Sequence, residues 1–295
     1  MSRNLFILYL LWGLFAHRIK DLKKEYLEKL PDWYKVDKKF DTVLSDDLDG
    51  LVSVNILKEV KNWTPQYFYC FDHLYINPYL REKNNKTATR VWADVSVVFD
   101  EKCFDNHVSR KDRNDKDLPL QINLNLMTEV TNYNYYYKYS GSTALMIWSL
   151  YDVPLPKTDL GKMILLLIDS TYKGFYSENE LYRQRNRFYL VDVLGLVELY
   201  EVQQRHAEKE FEKLRNELKA YEKIHMNNGK LETEMDIKTI SGLLRFPLDL
   251  PKTKFQVIGS LESSPMKRGN PAIKDLNRVY TFAYVGKSLY KCSMY

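Results

Sequence analysis

Acidic residues follow apolar segments at four places in the sequence, and they are its strongest chemical signal. The acids, with one accompanying histidine, are Asp47 and Asp49 after residues 40–44, Asp94 within residues 90–96, Asp105 and His107 after residues 103–104, and Asp169 after residues 162–168. Carboxylates held close together repel one another unless a cation neutralises them. Oxygen-rich sites with one or two imidazoles suit Mn²⁺ or Mg²⁺, and two such ions can clamp a phosphoester during its displacement. These residue types therefore point to metal-assisted hydrolysis.

The elements that must position these acids have the pattern of an α/β protein. Residues 40–44, 66–71, 89–98 and 103–104 have strand composition, and residues 51–60 are apolar at helical spacing. Strands that alternate with helices predict a mostly parallel sheet flanked by helices. Because ligands bind at the carboxyl ends of such strands, the acids would converge in one crevice. This interpretation treats residues 162–168 as a further strand.

A simpler interpretation exists for each acid taken alone. Aspartate after a strand is a common turn residue or helix cap. Asp49-Gly50 is by itself a turn signal, and an isolated His107 is typical of a surface position. The order and joint presence of the set favour a site.

Composition and cysteine usage restrict the class of protein. The 295 residues are 45% hydrophobic and 28% charged, which excludes a disordered tail, a fibre and a multi-span membrane protein. The net charge of +5 does not argue for nucleic acid on its own. Cys70, Cys103 and Cys292 are far apart, which favours a reducing, cytoplasmic setting. The apolar run Leu5–Ala16 is too short to span a bilayer, so we predict a buried N-terminal helix over residues 5–30, with a signal peptide as the alternative.

Two further segments bear on ligand binding. Ser140-Gly141-Ser142-Thr143 opens a helix over residues 144–151, and its N-terminal amides could seat a phosphate. The tyrosine-rich tract Asn132–Tyr139 could stack nucleic-acid bases, although packed aromatic side chains are the commoner outcome.

Taken in order, several segments resemble the motifs of the DHH phosphoesterase superfamily. They are VLSDDLDGLVS (43–53), Asp94, FDNHVS (104–109), SGSTAL (140–145) and LLIDST (166–171), and the resemblance covers about residues 38–175. That superfamily includes RecJ-type exonucleases, nano-RNases, cyclic-dinucleotide phosphodiesterases and family II pyrophosphatases. The resemblance implies a catalytic α/β domain and a site for divalent cations.

Carried over residue by residue, the resemblance implies a role for each matching position. Asp47 would bind one metal ion and Asp49 the other, Asp94 would bridge them, and Asp169 would bind the second. Asp105 and His107 match the first and third letters of the signature, with His107 near the phosphate. Ser140, Ser142 and Thr143 would contact substrate. The implied cofactor is Mn²⁺ or Mg²⁺, as one or two ions.

The sequence departs from the superfamily pattern at two positions. Val43 and Ser45 stand where a histidine usually precedes the paired aspartates, and Asn106 replaces the first histidine of the signature. An amide oxygen can ligate a hard cation, but it lacks negative charge. Each ion would therefore lose one imidazole, and Asn106 would become a ligand.

The resemblance also implies a domain organisation. Residues 1–198 would form the catalytic domain, residues 199–228 a connector helix, and residues 229–295 a small α+β substrate-binding domain. Strand signals at 255–258, 279–285 and 288–294 lie in the last part, and the final two read as a hairpin. Lys267 and Arg268 could contact phosphates there, although the composition also fits a solvated loop between Pro265 and Pro271.

The function that these observations predict is a metal-dependent phosphodiesterase or exonuclease. Its substrates would be short oligonucleotides, single-strand ends or cyclic nucleotides. The alternative is a degenerate scaffold that binds single-stranded nucleic acid or a replication partner without catalysis; a pyrophosphatase is less favoured. We expect no membrane partner, leave monomer and dimer open, and note that the composition suits a phage protein in its host's cytoplasm.

Overall fold

The computed structural model describes residues 23–82 and 90–295. Its strands, in chain order, are β1 (Asp41–Leu44), β2 (Thr64–Tyr69), β3 (His73–Ile76), β4 (Arg90–Ala93), β5 (Lys102–Phe104), β6 (Gln121–Ile122), β7 (His225–Asn227), β8 (Lys230–Glu232), β9 (Gln256–Ser260), β10 (Glu262–Ser263), β11 (Lys267–Arg268), β12 (Val279–Gly286) and β13 (Leu289–Met294). The predicted N-terminal helix lies largely outside the described residues; residues 23–28 are helical.

Helices connect these strands and cover one side of them. They are α1 (Leu48–Lys61), α2 (Pro78–Glu82), α3 (Leu124–Met127), α4 (Thr143–Leu150), α5 (Asp159–Leu167), α6 (Lys173–Tyr176), α7 (Glu180–Arg187), α8 (Val197–Arg205), α9 (Glu208–Glu217) and α10 (Ile237–Leu244). No helix among the described residues is both long enough and apolar enough to cross a membrane.

The main sheet has the strand order β6-β5-β4-β1-β2-β3-β9. The five strands from β6 to β2 are parallel, whereas β3 and β9 pair antiparallel at one edge. This confirms the predicted α/β fold with a mostly parallel sheet.

The central strand β1 shows why the sheet needs a layer on each face. Its consecutive residues Val43 and Leu44 are both fully buried, and in a strand they point to opposite faces. Leu44 packs in the large core formed with the helices. Val43 lies in a second cluster with Tyr69, Trp92 and Tyr280, the last of which belongs to β12. The sheet is therefore buried between helices and a C-terminal sheet.

The C-terminal sheet is antiparallel around β13. The strand β13 pairs with β12 on one side and with β10 and β11 on the other, so the hairpin expected from the sequence is confirmed. Single bridges from Val97 to Thr281 and from Val108 to Tyr284 join β12 to the loops after β4 and β5. Together with β9 in the main sheet, these bridges mean that the predicted boundary at residue 229 does not separate two sheets.

The segment 162–168 is helical, not a strand. Thr158 caps α5 by accepting a 3.1 Å hydrogen bond from the Gly161 N–H. All residues from Gly161 to Leu167 are buried, so the run shows no polar face in the sequence. A short continuous apolar run is typical of a buried strand and of a buried helix alike, which is why the prediction was wrong.

The predicted connector helix over 199–228 is also corrected. The chain is extended at His206 and Ala207, which separates α8 from α9, and α9 ends at Glu217. Residues 225–227 are then strand β7, paired with β8 across a turn in which Asn228 and Gly229 both have positive φ. Asn-Gly favours this hairpin turn, whereas the prediction took it as a helix end.

Candidate metal centre

The acids that follow β1 and β4 lie at the switch point of the main sheet, where the order of successive strands reverses. From β1 the chain builds outward through β2 and β3, and it then returns to the opposite side of β1 with β4, β5 and β6. Ligands of open α/β sheets bind at such a switch point, beyond the carboxyl ends of the strands. Asp46 and Asp47 follow β1, and Asp94 follows β4.

A cavity of about 220 Å³ opens at this point. It is lined from the main sheet and from the C-terminal region by Ser45, Asp46, Asp47, Tyr69, Phe71, Asp94, Val95, Ser96, His107, Lys223, Thr281, Phe282, Ala283, Val285 and Lys291. Asp46, Asp47 and Asp94 therefore share a small cleft with Lys223 and Lys291, which the sequence did not indicate.

Asp94, Asp105 and His107 form the tightest group. One ligand atom from each lies within 4.8 Å of the others. The Nδ1 atom of His107 is 2.6 Å from Oδ1 of Asp105, while Oδ2 of Asp105 accepts a 2.9 Å hydrogen bond from Asn123. Asp105 is fully buried, so it fixes the imidazole and leaves its second ring nitrogen available, as carboxylates do for metal-binding histidines.

The protonation of His107 follows from this pairing. Burial lowers the pKa of His107, but the charge of Asp105 and the hydrogen bond to it outweigh that effect and raise the pKa to about 9. The ring is therefore cationic at neutral pH while no metal ion is bound.

Asp94 is held in a conformation that few residues adopt. Its φ of +60° lies in the left-handed region, which aspartate tolerates better than most side chains. Its Oδ1 accepts a 3.0 Å hydrogen bond from the Thr143 hydroxyl. Burial, followed by the charges of Asp49 and Asp47, raises the pKa of Asp94 well above its usual value. A cation at this carboxylate would remove that penalty.

Asp49 is anchored by backbone amides. Its Oδ2 accepts from the Thr143 N–H at 2.8 Å and its Oδ1 from the Ala144 N–H at 2.7 Å. Burial, with the charges of Asp169 and Asp47, nevertheless raises its pKa well above the usual value. The residue binds the N-terminus of α4 as an anion would.

The start of α4, which the sequence predicted to bind a phosphate, has its N–H groups bonded within the protein. The Ser142 N–H donates to the Thr171 hydroxyl and the Ser142 hydroxyl accepts from the Leu145 N–H, each at 3.1 Å. Ser140 is half-buried in the preceding loop. The amides of residues 142–144 thus donate within the protein, and the structure does not present them to a phosphate.

Asn106 and Asp169 meet although they come from different elements. The Asn106 amide donates to the carbonyl of Gly141 at 2.8 Å and to Oδ2 of Asp169 at 3.0 Å. Asp169 follows α5 rather than a strand and has a φ of +50°. Asp169 therefore contacts Asn106 from the end of a helix, not from the strand that the sequence predicted.

Asp47 both caps α1 and forms an ion pair with Lys223. Its Oδ1 caps α1 by accepting from the Gly50 N–H at 3.1 Å, and its Oδ2 lies 3.0 Å from the ammonium of Lys223. The same ammonium lies 2.9 Å from Asp46. Burial opposes ionisation of Asp47, but Lys223 and the Gly50 N–H outweigh it and lower the pKa of Asp47.

The basic residues of the site are not the predicted ones. Lys267 and Arg268 lie in the exposed strand β11 and do not line the cavity. Lys223 and Lys291 do so instead, and the Lys291 ammonium lies 3.5 Å from the centroid of the Phe71 ring. No sequence signal distinguished Lys223 from the charged residues around it, because its partners are 176 and 177 positions away.

Three buried oxygen atoms in the loops that carry the acids are candidate ligands for a cation. The Ser45 and Ser96 hydroxyls and the Oδ1 atom of Asn106 have no hydrogen-bond partner within the described residues. These residues are only 4–6% exposed, and the two serines line the cavity. Unsatisfied buried oxygens beside carboxylates of raised pKa are the donor set that suits a hard divalent cation. The residues present therefore fit Mn²⁺ or Mg²⁺.

No family model matches the chain, and no curated protein or solved structure is significantly similar to it. What the fold and the site define is a class: an α/β protein with an acidic, lysine-rimmed cleft at the switch point of a mostly parallel sheet.

Proposed function

We propose that this protein is a metal-dependent phosphoester hydrolase of the DHH type. The observation that carries the proposal is the convergence of Asp94, Asp105 and His107 within 4.8 Å of one another at the sheet's switch point. The buried oxygens of Ser96 and Asn106 beside them support a bound cation. When bound, Mn²⁺ or Mg²⁺ would supply Lewis-acid activation of the phosphoryl group.

The protein's own residues would orient the substrate and neutralise its charge. Asp105 holds the His107 ring through Nδ1, so the other ring nitrogen would be oriented toward the ion. Lys223 and Lys291 place two positive charges at the cleft, and such charges attract anionic substrates.

The cleft's size favours small substrates or strand ends. Its volume of about 220 Å³ lies below the roughly 300–1,000 Å³ of pockets that enclose a drug-sized ligand. The strand β12 forms one wall through Thr281, Phe282 and Ala283. We infer that one phosphate with an adjoining nucleoside enters, so short oligonucleotides, single-strand ends and cyclic nucleotides are the substrates to test.

Hydrolysis of such a panel in Mn²⁺ or Mg²⁺ tests the proposal. We expect turnover by the wild type and, for Asp94→Ala, a loss of at least about 100-fold, since loss of the ion removes several kcal/mol of transition-state stabilisation. Lys267→Ala, in the exposed strand β11, is the matched control and should retain full activity. A folded protein that neither hydrolyses any member of the panel nor takes up either metal would refute the proposal.

A second candidate is a binding protein for single-stranded nucleic acid. The observation that favours it is that Asp46, Asp47 and Asp49 are satisfied by Lys223 and by backbone amides without a cation. It predicts salt-sensitive binding without hydrolysis and no stoichiometric uptake of Mn²⁺. Calorimetric titration with Mn²⁺ separates the two candidates.

A further inference from the structure

The ammonium of Lys223 lies between two of the acids at the cleft. Its ammonium lies 2.9 Å from Asp46 Oδ1 and 3.0 Å from Asp47 Oδ2, and the residue lines the same cavity as Asp94 and His107. Burial lowers the pKa of Lys223, but the charges of Asp47 and Asp46 outweigh burial and raise it. The ammonium is therefore a permanent positive charge at this end of the cleft.

The backbone fixes this position. The Ile224 N–H donates a 2.7 Å hydrogen bond to the Asp46 carbonyl, which ties the segment after α9 to the loop after β1. Ile224 itself is 2% exposed and packs in the main core. The Lys223 side chain is 56% exposed, but its partners Asp46 and Asp47 are only 17% and 33% exposed. Lys219 pairs instead with Glu234, which is 69% exposed. Lys223 is thus held beside partly buried acids by the packed segment at Ile224, whereas Lys219 makes an ordinary surface pair.

Two of the carboxylates that the resemblance assigns to metal ions already have a protein donor at each oxygen. Both oxygens of Asp49 accept backbone N–H groups, and Asp47 divides its oxygens between the Gly50 N–H and Lys223. Neither carboxylate retains an oxygen without a protein donor. Asp94 and His107 belong instead to the group whose ligand atoms lie close together. In the same loops, the buried oxygens of Ser96 and Asn106 have no hydrogen-bond partner among the residues that the structure describes.

We propose that Lys223 takes the place of a second divalent cation, so that the protein binds a single ion at Asp94 and His107, with Asp105 holding the imidazole. The inference rests on the proposed function. It assigns to the Lys223 side chain the positive charge that a second metal ion provides in a two-ion phosphoesterase. A two-ion clamp neutralises both the attacking and the leaving oxygen. In this protein the ammonium of Lys223 would supply the positive charge at one end of the bound phosphate.

Metal stoichiometry tests this inference without using activity. For the full chain we expect about 1 equivalent of Mn²⁺, because a single group of hard donor atoms is open to a cation. Calorimetry measures this stoichiometry, and elemental analysis after gel filtration checks it. Lys223→Met should admit a second equivalent, because Asp46 and Asp47 lose their neutralising charge. Lys223→Arg keeps the positive charge, and Lys219→Met removes a lysine that does not contact these acids. Both variants should therefore still bind one equivalent of Mn²⁺.

Asp47→Asn provides an independent measurement if Lys223→Met does not fold. Asparagine caps a helix as well as aspartate does, and the inference predicts that this variant still binds one ion. Two ions in the wild type, one ion in a folded Lys223→Met protein, or loss of the ion in Asp47→Asn would each overturn the role of Lys223 while leaving the hydrolase proposal intact. No uptake by the wild type would overturn both.

Discussion

The backbone N–H of Thr143 donates a 2.8 Å hydrogen bond to Oδ2 of Asp49, which lies 94 positions earlier in the chain. The bond joins the N-terminus of α4 to the first turn of α1, where the helix dipole favours a negative charge. It also takes up an oxygen that the superfamily resemblance assigns to a metal ion. In this structure Asp49 ties the start of α1 to the start of α4.

Removal of the Asp49 carboxylate should weaken folding. Asp49→Ala leaves the buried N–H groups of Thr143 and Ala144 without partners, and each such loss costs about 1–3 kcal/mol. Relief of repulsion from Asp47 and Asp169 offsets part of this cost, so we expect a net loss of about 2 kcal/mol in the free energy of unfolding. Urea titration in the presence of a chelator measures it.

Asp152→Asn is the control for this measurement, because Asp152 is 83% exposed in its pair with Lys23 and asparagine tolerates its positive φ. That change should cost less than about 1 kcal/mol. Undiminished stability of Asp49→Ala, together with loss of a bound Mn²⁺, would show that Asp49 is a ligand after all.

The cation-free protein should lose stability as the pH rises from about 6.5 to 9. The pKa of His107 is raised to about 9, so its contribution is fully present below the unfolded value of 6.5 and is lost as the pH passes the folded one. The pKa of Asp94 is also raised, so its ionisation costs stability in the same direction. Thermal melting with a chelator at several pH values measures the trend.

Added Mn²⁺ should raise the melting temperature more at pH 8 than at pH 6, because the ion needs deprotonated ligands. Asp94→Asn should show a shallower pH dependence than the wild type in the absence of metal. A melting temperature independent of pH over this range would contradict the charge arrangement described for the cleft.

Gly50→Ala should destabilise the protein although Gly50 lies in a helix. Alanine favours a helix interior over glycine by about 1 kcal/mol, but a Cβ at Gly50 would lie 1.9 Å from the Ser45 hydroxyl and 3.0 Å from the Ser45 nitrogen. Overpacking of this kind costs about 1–3 kcal/mol, so sterics outweigh propensity. Chemical denaturation of the variant measures the balance.

Gly242 in α10 supplies the matched control, since a Cβ there meets nothing within 4 Å. Gly242→Ala should stabilise the protein by about 0.5–1 kcal/mol. Stabilisation by Gly50→Ala of the same size would mean that Ser45 does not lie against the start of α1.

The ion pair between Asp159 and Arg205 should be lost in acid. Hydrogen bonds from Arg205 at 2.8 and 3.0 Å, with a further one from His206, lower the pKa of Asp159 to about 2. A lowered folded pKa means that the contribution is present above the unfolded value near 3.8 and is lost as the pH falls through 2. Asp159→Asn should therefore be less stable at pH 6 and indistinguishable from the wild type near pH 2.

The expected difference at pH 6 is below about 1 kcal/mol, because Asp159 is 36% exposed and solvent screens the pair. Isothermal denaturation at both pH values measures it, with Asp152→Asn as the control for a single exposed pair. A deficit of Asp159→Asn that persists at pH 2 would assign its effect to the start of α5 rather than to charge.

The sequence allowed prediction of elements whose signals are local. The strand β1, the acidic turn and α1 follow one another within about two dozen residues, and the β12–β13 hairpin has its own turn residues. Such features depend on neighbours in the chain. The convergence of Asp94 with His107 followed from the parallel topology.

Features that depend on distant partners could not be predicted. Lys223 lies in a charged stretch that resembles any solvated helix, and only its approach to Asp47, 176 positions away, distinguishes it. Residues 162–168 are apolar on every side because α5 is surrounded by protein. From the sequence, the N–H groups of Thr143 and Ala144 at a helix start are expected to be free for a phosphate. In the fold they donate to Asp49 instead.

The strand order also has a consequence for the order of synthesis on the ribosome. The edge strand β3 acquires its partner β9 only when residues 256–260 have been made, and the lysines of the cleft arrive as residues 223 and 291. Until then the nascent chain carries an unneutralised acidic turn and an uncovered sheet edge, which invites pairing with other chains. We expect a chain stopped at residue 250 to aggregate, as centrifugation of a translation reaction would show. The lining of the cleft is thus completed only after β12 and β13 have been made.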